Sequence, residues 1–516
     1  MPGLAFVAGA SALALSCAAP PAANAAVAPR QDQGPRPHLV IAPERFREAL
    51  APYLAWRAGT PQNDGVVFAS LESILGDAPP SDRDSPERLK RFLFDRWRRG
   101  ALGTCLLVGD GDTIPVRFMT LDRSDAAAAN WAFYPSDLYY ADLAEADGEF
   151  ESWNGRRDDF HDRYFGEVHG ESNKSGPINA DACDLDPEIA VGRWPVSNAD
   201  DAAAIVRKTI EWEQSTGARF GARGGADAGH AGGEPTATNG GSAAPDTPLG
   251  GAIFAVGGWV DVRSRARAIS TTLDRALVGG CLAFVHDDDA SPAPDVETMK
   301  RSLARAPLLL LHSGHGQPWG WEHCLSEAVI DGANLPESLP PPILFSAGCS
   351  TAEWSALPPY TAYLDESGAE HRGTTAGERF ESPPPPPGPI QPGSFDRSSF
   401  SERLVRRPRG GAIAVIGCST GSQPCAISLL EGFVDACDEL SRETATPTLG
   451  EAWRRAVRDY RRRERLDSLV PTESWYPPSI FFQGMKFVLL GDPSLRLPLQ
   501  RRADPAPPAA PRSLER

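Results

Sequence analysis

The sequence has little that would suit a nucleic-acid or membrane protein. Its 51 Lys and Arg residues are outnumbered by 68 Asp and Glu residues, which gives a net charge of −17. Because nucleic-acid binding needs a basic surface, this balance argues against a nucleic-acid partner. Beyond the N-terminus no stretch is apolar for long enough to cross a membrane, so we expect no transmembrane span. The nine cysteines include no CxxC pair, which disfavours a zinc ribbon or a dense disulfide framework.

Basic residues are also missing from the first 26 positions, although this segment otherwise has the pattern of an export signal. The run from Leu4 to Ala19 is apolar, and Ala23–Ala25 has the small-residue pattern of a cleavage site. We therefore predict a signal peptide and a secreted, periplasmic or cell-surface protein. The stretch "LALSC", ending at Cys17, also fits a loose lipoprotein attachment site, so anchoring at Cys17 stays an alternative.

Apolar strands alternate with amphipathic helices along most of the 516 residues, which predicts an α/β protein with more than one packed unit. The first series begins at "HLVIA" and the second at "GAIFAVGG". Two segments of biased composition, one rich in Gly and Ala and one rich in Pro, interrupt the pattern. The predicted segments are a signal peptide (1–25), an N-terminal α/β subdomain (36–215), a flexible linker (216–248), a second α/β subdomain (249–500) with a disordered surface insertion (356–397), and a disordered tail (501–516).

Two of the apolar strands end in residues that carry chemistry. The leucines Leu308–Leu311 predict a buried strand, and the following "HSGHG" ends at His315 and Gly316. A second buried strand, in "PILFSAGCS", runs into Cys349. Sites in open α/β sheets collect at the carboxyl ends of strands. If these two strands are neighbours, His315 and Cys349 face each other there.

An imidazole next to a thiol can convert it into a thiolate nucleophile. Gly316 would let a substrate carbonyl approach the backbone, and the N–H groups of Gly316 and Cys349 would stabilise an oxyanion. Each residue alone has an ordinary explanation, since a lone Cys after an apolar strand is usually a small core residue. A lone His in a glycine turn is usually a capping or surface residue. Their joint occurrence at two strand ends favours a catalytic pair.

These two blocks resemble the His-Gly and Cys blocks of the caspase-like cysteine peptidases, and within them the chain is similar to the gingipain family, peptidase family C25. The resemblance continues through "CLLVGDGDTIPVRF", "YPSDLYYADL", "PEIAVGRWPV", "GGAIAVIG" and "FVLLGDPSLRL". It covers residues 38–498 apart from the linker and the insertion. It implies a caspase-like α/β sandwich with a mainly parallel sheet, preceded by a smaller α/β subdomain. It also implies that His315 is the catalytic His and Cys349 the nucleophile.

One position departs from the family pattern. The family places an acid near the end of the strand that matches "AIFAVGG", where it orients the catalytic His, but this chain offers only Val256, Gly257 and Gly258. The third member is therefore missing or supplied elsewhere, with Asp261 nearest in sequence.

Asp261 is also the candidate for binding substrate, because it is the only carboxylate in the loop that matches the family's specificity pocket. A buried carboxylate there would pair with a basic side chain. Arg263 and Arg265 lie close enough in sequence to neutralise it.

No metal is needed for this chemistry, and the histidines make a weak zinc site. His312, His315 and His323 lack a nearby HExxH-type carboxylate, and we expect His312 to be structural, donating to a backbone carbonyl. The turn "GDGD" at 109–112 lacks the phosphate-loop pattern, and its acids would repel phosphate.

Acidic clusters leave a structural calcium site open, because calcium prefers oxygen ligands and gingipain-like enzymes bind it structurally. Solvated loops are the alternative, with Asp295 as a helix N-cap. The clustered acids are Asp137, Asp142, Glu145 and Asp147; Asp181, Asp184, Asp186 and Glu188; and Asp287, Asp288, Asp289 and Asp295.

The sequence therefore predicts an exported cysteine endopeptidase that acts on protein or peptide substrates through a Cys–His dyad and an acyl-enzyme. A catalytically inert relative that acts in binding or secretion is one alternative. A transpeptidase that uses the same acyl-enzyme to attach proteins to a surface is another.

Overall fold

A computed structural model of the 516-residue chain provides the structure. It describes residues 36–60, 65–122, 131–154, 165–167, 175–221, 249–333, 335–336, 339–380, 383–395, 398–474 and 476–500. The predicted signal peptide, Cys17, residues 222–248 of the predicted linker and the predicted tail lie outside these ranges. The described residues fall within one compact unit, 34–516.

The strands and helices alternate as the hydrophobic pattern predicts. The strands are β1 (His38–Ala42), β2 (Val66–Ser70), β3 (Thr104–Val108), β4 (Phe118–Asp122), β5 (Trp131–Pro135), β6 (Phe165–Glu167), β7 (Ala190–Trp194), β8 (Gly251–Ala255), β9 (Cys281–Val285), β10 (Leu309–Ser313), β11 (Gly316–Gln317), β12 (Gly320–Trp321), β13 (Leu325–Ser326), β14 (Ile343–Ser346), β15 (Tyr363–Leu364), β16 (Glu370–His371), β17 (Ala414–Cys418) and β18 (Phe487–Leu490). The helices are α1 (Arg47–Ala58), α2 (Leu71–Leu75), α3 (Ser85–Arg98), α4 (Ala199–Gly221), α5 (Arg263–Ala276), α6 (Val296–Ala304), α7 (Glu327–Gly332), α8 (Phe400–Arg406), α9 (Ile427–Glu443), α10 (Leu449–Arg463) and α11 (Tyr476–Gln483).

Ten strands form one sheet in the order β2-β1-β3-β7-β18-β17-β14-β10-β8-β9. Every neighbouring pair is parallel except β17 and β18. The expected mainly parallel α/β sheet is therefore confirmed. Strands from both predicted subdomains share it, and they meet where Leu490 of β18 pairs with Arg193 of β7.

Helices cover both faces of the sheet, as the continuous apolar strands require. Successive residues of β10 point to opposite faces: Leu309 and Leu311 pack in one buried core, whereas Leu310 packs in the other. The first core includes residues of α5, α9 and α10, and the second includes residues of α1, α4, α6 and α8. The result is a three-layer sandwich whose strand ends stay open between the helices.

The prediction that the segment 356–397 is disordered was wrong for its described residues. The Val116 N–H donates to the Pro389 carbonyl at 2.8 Å, and the Gln391 N–H donates to the Gly111 carbonyl at 2.8 Å. Gln391 is fully buried. Proline lacks an N–H but keeps its carbonyl, so backbone elsewhere in the chain can still fix a proline-rich segment.

The start of the predicted linker is also corrected, because α4 continues through residue 221. The Thr216 hydroxyl donates to the Trp212 carbonyl at 2.6 Å, and Trp212 is buried in the first core. Among the described residues, no helix is long and apolar enough to cross a membrane.

Candidate active site

The strands that lead to His315 and Cys349 are neighbours in the sheet. β10 pairs with β14 in parallel, and His312 is level with Ser346. Both strands therefore end at the same edge, and the structure brings together the two segments that the sequence analysis singled out.

Glycine lets these two segments touch backbone to backbone. A Cβ atom at position 316 would lie 2.7 Å from the Cys349 oxygen and 3.2 Å from its nitrogen. A Cβ atom at position 348 would lie 3.0 Å from the Gly316 nitrogen and 2.9 Å from the Gly314 oxygen. Real Cβ atoms do not fit at such distances from backbone, so both positions require glycine.

The candidate catalytic side chains are accessible. His315 is exposed, and Cys349 is partly buried. Between these two described side chains there is no hydrogen bond. Instead, the thiol lies against Ser422, whose N–H donates to the sulfur at 3.3 Å and whose carbonyl lies 3.6 Å from it. Catalytic hydrogen bonds are often long in the absence of substrate, so this arrangement is compatible with a His–Cys pair.

Ser422 is a contact that the sequence analysis missed. It follows β17, the neighbour of β14 on the side away from β10. Its hydroxyl donates to the Ala347 carbonyl at 2.8 Å and accepts from the Gln483 side chain at 3.0 Å. The signal was available in "GCSTGS", which follows a buried strand just as "HSGHG" does.

His312 is structural, as expected, but its partner is a hydroxyl and not a backbone carbonyl. The imidazole is fully buried, stacks on Trp321 at 4.8 Å between ring centroids, and shares a 2.8 Å hydrogen bond with Ser346. The same hydroxyl accepts the Gly348 N–H at 3.1 Å. Burial lowers the pKa of His312 to about 3, so this histidine is neutral. The His312–Ser346 pair thus fixes the peptide that precedes Cys349.

The sequence profile of peptidase family C25 matches residues 31–498 of this chain. This chain belongs to peptidase family C25. It is therefore a cysteine-type peptidase, and proteins or peptides are its substrates. No curated protein gives a significant match to the sequence.

Solved structures with the same fold include gingipain R (RgpB), described as an Arg-specific cysteine proteinase. It is 14% identical with a TM-score of 0.52, and the match covers 90% of this chain and 79% of that chain. The complex of the Porphyromonas gingivalis RgpB pro- and mature domains is 13% identical with a TM-score of 0.50, covering 90% and 79%. Identities this low show the shared fold alone.

The segment that follows β8 contacts the backbone of His315. Gly257 stands there, and its carbonyl accepts the His315 N–H at 3.4 Å. A Cβ atom at position 257 would lie 3.4 Å from the His286 ring. A different carboxyl lies in the Cys349 loop: burial raises the pKa of Glu353 to about 7, partly offset by a hydrogen bond with Ser350. None of the contacts of Glu353 described here reaches His315.

Asp261, the candidate substrate-binding residue, is exposed and engaged by Arg263. The guanidinium binds both carboxylate oxygens at 2.9 and 2.8 Å, and this side-chain hydrogen bonding lowers the pKa of Asp261 to about 2. Arg265 turns to Glu431 instead, with two 2.6 Å hydrogen bonds. A basic substrate side chain would therefore have to displace Arg263 from Asp261.

The structure gathers carboxylates from two of the predicted acidic clusters, together with Glu151, which the sequence analysis missed. One oxygen from each of Asp142, Glu151 and Asp184 lies within 4.8 Å of the others. Asp142 and Glu151 are buried, and each keeps one oxygen without a hydrogen-bond partner among the described residues. Burial raises the pKa of both carboxyls. The buried ammonium of Lys90 also interacts electrostatically with Asp142 and Glu151.

Other predicted calcium ligands are engaged elsewhere. Asp295 caps α6 by accepting the Thr298 N–H at 2.8 Å, as the alternative interpretation expected. The three histidines do not form a cluster with metal-ligand spacing among the described residues. The other engaged acids are Asp137 with Arg193, Glu188 with the Leu143 and Ala144 N–H groups, Asp186 with Arg458, and Asp288 with Arg267.

Proposed function

We propose that this C25 peptidase is an exported cysteine endopeptidase with Cys349 as nucleophile and His315 as general base and acid. The supporting observation is the meeting of two parallel strand ends through Gly316 and Gly348, with an exposed imidazole on one segment and an accessible thiol on the other. Sites in α/β sheets collect at the carboxyl ends of strands, and an imidazole beside a thiol can activate it as a nucleophile.

The reaction follows from these positions. His315 takes the thiol proton, and the Cys349 sulfur attacks the substrate carbonyl to form a C–S bond. The oxygen of the tetrahedral intermediate accepts hydrogen bonds from the backbone N–H groups of Gly316 and Cys349. The His315 imidazolium then protonates the leaving amine as the C–N bond breaks. Water, deprotonated by the same imidazole, hydrolyses the thioester and releases the thiol.

The geometry of the oxyanion site rests on the close backbone approach. The Cβ position of Gly348 lies 3.0 Å from the Gly316 nitrogen, and that of Gly316 lies 3.2 Å from the Cys349 nitrogen. This close approach of the two backbone segments supports the proposal that both amides contribute to one oxyanion site. The hydrogen bond from Gly348 to Ser346 orients the peptide chain that enters this space.

Thiol labelling with mass mapping tests the assignment directly. The wild-type protein is treated with peptides that carry a thiol-reactive group, and the labelled cysteine is located by mass spectrometry. We expect label on Cys349, and prior alkylation should block both labelling and hydrolysis. Absence of label on Cys349 in the folded protein would support the inert alternative. Products joined to an added amine would instead indicate a transpeptidase.

Export is proposed on the N-terminal sequence pattern, and the chemistry needs no cofactor. N-terminal sequencing of the protein recovered from culture medium and from cell fractions would locate it and its cleavage site. Label from a lipid precursor at Cys17 would identify the anchored form, whereas an uncleaved intracellular chain would contradict export.

We also propose that Asp142, Glu151 and Asp184 hold a structural calcium ion. Carboxylate oxygens are the ligands that calcium prefers, and one oxygen each of Asp142 and Glu151 has no hydrogen-bond partner among the described residues. Since a ligand that binds only the native state raises its stability, a chelator should lower the melting temperature and calcium should restore it. Asp142→Asn should abolish this response, whereas Asp287→Asn, at an exposed acid, should keep it. An unchanged melting curve would mean that Lys90 alone balances the cluster.

A further inference from the structure

Exposed apolar side chains concentrate beside the candidate catalytic histidine. Trp259 is 73% exposed and Trp319 is 66% exposed, and Val260 next to Trp259 is 47% exposed. Only two other large hydrophobic side chains are exposed among the described residues, Leu282 and Val470. Tryptophan is usually largely buried, so two exposed indoles near one site need an explanation.

Both tryptophans lie on short segments tied to the backbone of His315. The Gly257 carbonyl accepts the His315 N–H at 3.4 Å, and Trp259 follows two residues later. Trp319 lies in the turn of the β11–β12 hairpin, where Gln317 pairs with Gly320 and the first hairpin residue is Gly316. Both exposed tryptophans therefore lie on segments whose backbone adjoins His315, the residue that we propose to be the general base.

The hairpin that carries Trp319 is held firmly. The Phe400 N–H, at the start of α8, donates to the Pro318 carbonyl at 3.0 Å. At the other end of the hairpin, Trp321 is buried and stacks on His312. Trp319 is thus an exposed aromatic side chain on a supported turn, which is the kind of residue that gains most from burial against a partner.

Charges on the same loops do not favour a basic substrate side chain. Arg263 occupies both oxygens of Asp261, and Arg265 is paired with Glu431. On the hairpin side, the Glu322 carboxylate lies 3.5 Å from the His323 imidazole. The loop next to His315 thus offers exposed indole and aliphatic groups, whereas its carboxylate Asp261 is already paired with Arg263.

We propose that Trp259, Val260 and Trp319 form a substrate-binding surface that selects peptides with large apolar or aromatic side chains beside the cleaved bond. The inference rests on the Cys349–His315 function proposed above. Indole faces bury apolar and aromatic side chains and gain additional energy from ring–ring contact. The occupant is the substrate polypeptide, because this surface is continuous with the strand ends where its carbonyl would be attacked.

Hydrolysis of a peptide library by the full-length protein, followed by variant kinetics on the preferred peptides, tests this proposal. We expect enrichment of Phe, Tyr, Trp, Leu or Met near the cleaved bond. Trp259→Ala and Trp319→Ala should each lower kcat/KM about tenfold for such peptides, mainly through KM. The loss should be smaller for peptides with Ala at that position, because they lack the side chain that the indoles would bind, so the ratio of kcat/KM values between the two peptide classes should fall. Trp→Phe variants should recover most of the loss, because they restore an aromatic face.

Leu282→Ala is the matched control. Leu282 is an exposed apolar residue on β9, level with Ala252 near the start of β8 and thus towards the opposite edge of the sheet. We expect this variant to keep the wild-type kcat/KM for all peptides. A preference for Arg or Lys that depends on Asp261 would overturn the proposal, and so would tryptophan variants with unchanged selectivity.

A binding measurement separates this inference from the catalytic proposal. In the Cys349→Ala protein, a peptide of the preferred class should protect tryptophan fluorescence from acrylamide quenching, and Trp319→Phe should reduce this protection. If wild-type Cys349 takes no label, the catalytic proposal fails, whereas protection of the indoles would still test the surface. If Cys349 is labelled but neither indole is protected, the surface proposal alone fails.

Discussion

Two strand ends, one after β3 and one after β10, use similar loops for opposite purposes. They lie at opposite edges of the sheet, because the antiparallel pairing of β17 with β18 reverses the strand direction between them. After β3 the chain runs through "GDGD", and Asp110 is buried there. Arg406 lies 3.1 Å from Asp110 and 3.8 Å from the buried Glu402. After β10 the chain runs through "HSGHG", and His315 is exposed. The loop after β3 buries Asp110 in a cluster with Arg406 and Glu402. The loop after β10 instead leaves the His315 imidazole exposed, where it can meet a ligand.

The difference shows that a strand-end position does not by itself make a catalytic residue. Asp110 is removed from solvent and has its partners on α8, where Arg406 and Glu402 lie, so this cluster links α8 to the loop after β3. His315 has a backbone hydrogen bond to Gly257 but no partner for its ring among the described residues. The His315 imidazole, which has no such partner among the described residues, is therefore the group that can bind substrate.

The largest effect on peptide hydrolysis is expected from replacing His315 or Cys349, which follow β10 and β14. Cys349→Ala should abolish peptide hydrolysis and leave the melting temperature nearly unchanged, because it removes one partly buried thiol. His315→Ala should lower the rate by several orders of magnitude, since acylation loses its base. Kinetics on purified, folded protein would measure both changes.

Cys418→Ala is the control for the nucleophile. Cys418 is fully buried in β17, and burial raises its pKa to about 12, so it is not a reactive thiol. This variant should retain hydrolysis. Full activity in Cys349→Ala, or its loss in folded Cys418→Ala, would show that the nucleophile is misassigned.

In the cluster around Asp110, Arg406→Ala should lower the free energy of unfolding and leave the rate of hydrolysis nearly unchanged. It leaves Asp110 and Glu402 buried without their cation, and the loss of one partner from a buried ionic cluster typically costs about 3–5 kcal/mol. Urea denaturation would give the free energy of unfolding. We expect kcat to stay within a few fold of wild type at temperatures where the variant is folded. A large fall in kcat with unchanged stability would show that the two strand ends do not differ in the way described.

Two glycine substitutions should separate an effect on activity from an effect on stability. Gly348→Ala would press a Cβ atom towards the Gly316 nitrogen and the Gly314 oxygen, so we expect roughly a hundredfold loss of kcat/KM through a displaced oxyanion site. Gly192→Ala, in β7, would clash with the Gly491 carbonyl and should lower the melting temperature instead. Gly217→Ala in α4 meets open space, so it should leave activity unchanged and should not lower the melting temperature. Equal losses of kcat/KM in Gly348→Ala and Gly192→Ala would contradict the prediction that only the first acts on the active site.

The last prediction concerns the pH dependence of the free energy of unfolding, to which the buried His312 contributes. Burial lowers the pKa of His312 to about 3, so between pH 3 and about 6.5 the unfolded chain binds a proton there that the folded chain does not. Stability therefore falls as the pH drops below about 6.5, by up to about 1.4 kcal/mol per pH unit for this group. Urea denaturation at several pH values would measure this dependence, and His312→Gln should make the fall in stability at acid pH shallower.

The sequence was sufficient to predict the parts of the candidate site that lie directly after an apolar strand. Apolar runs predicted β10 and β14, and the residues that follow them predicted His315 and Cys349 as a pair. Ser422 was missed because its contact with Cys349 depends on β17 lying next to β14, and strand order cannot be read from periodicity. Glu151 was missed for a similar reason, since only the folded loops bring it to Asp142 and Asp184.

The proline-rich segment shows a different limit. Its composition predicts disorder because it cannot supply a core of its own. Its order comes from backbone groups of the N-terminal half that accept or donate hydrogen bonds across long sequence separations, such as Val116 to Pro389. Composition describes what a segment can do alone, and the fold decides which partners it meets.

The position of β18 has a consequence for how the chain is made. This strand comes last in the sequence but lies in the middle of the sheet, between β7 and β17. Until Phe487–Leu490 has left the ribosome, β7 and β17 are both open edges, and the two groups of strands cannot join. Open edges recruit other strands and favour aggregation. A chain that stops before residue 487 should therefore be insoluble, because β7 and β17 both stay exposed as open edges.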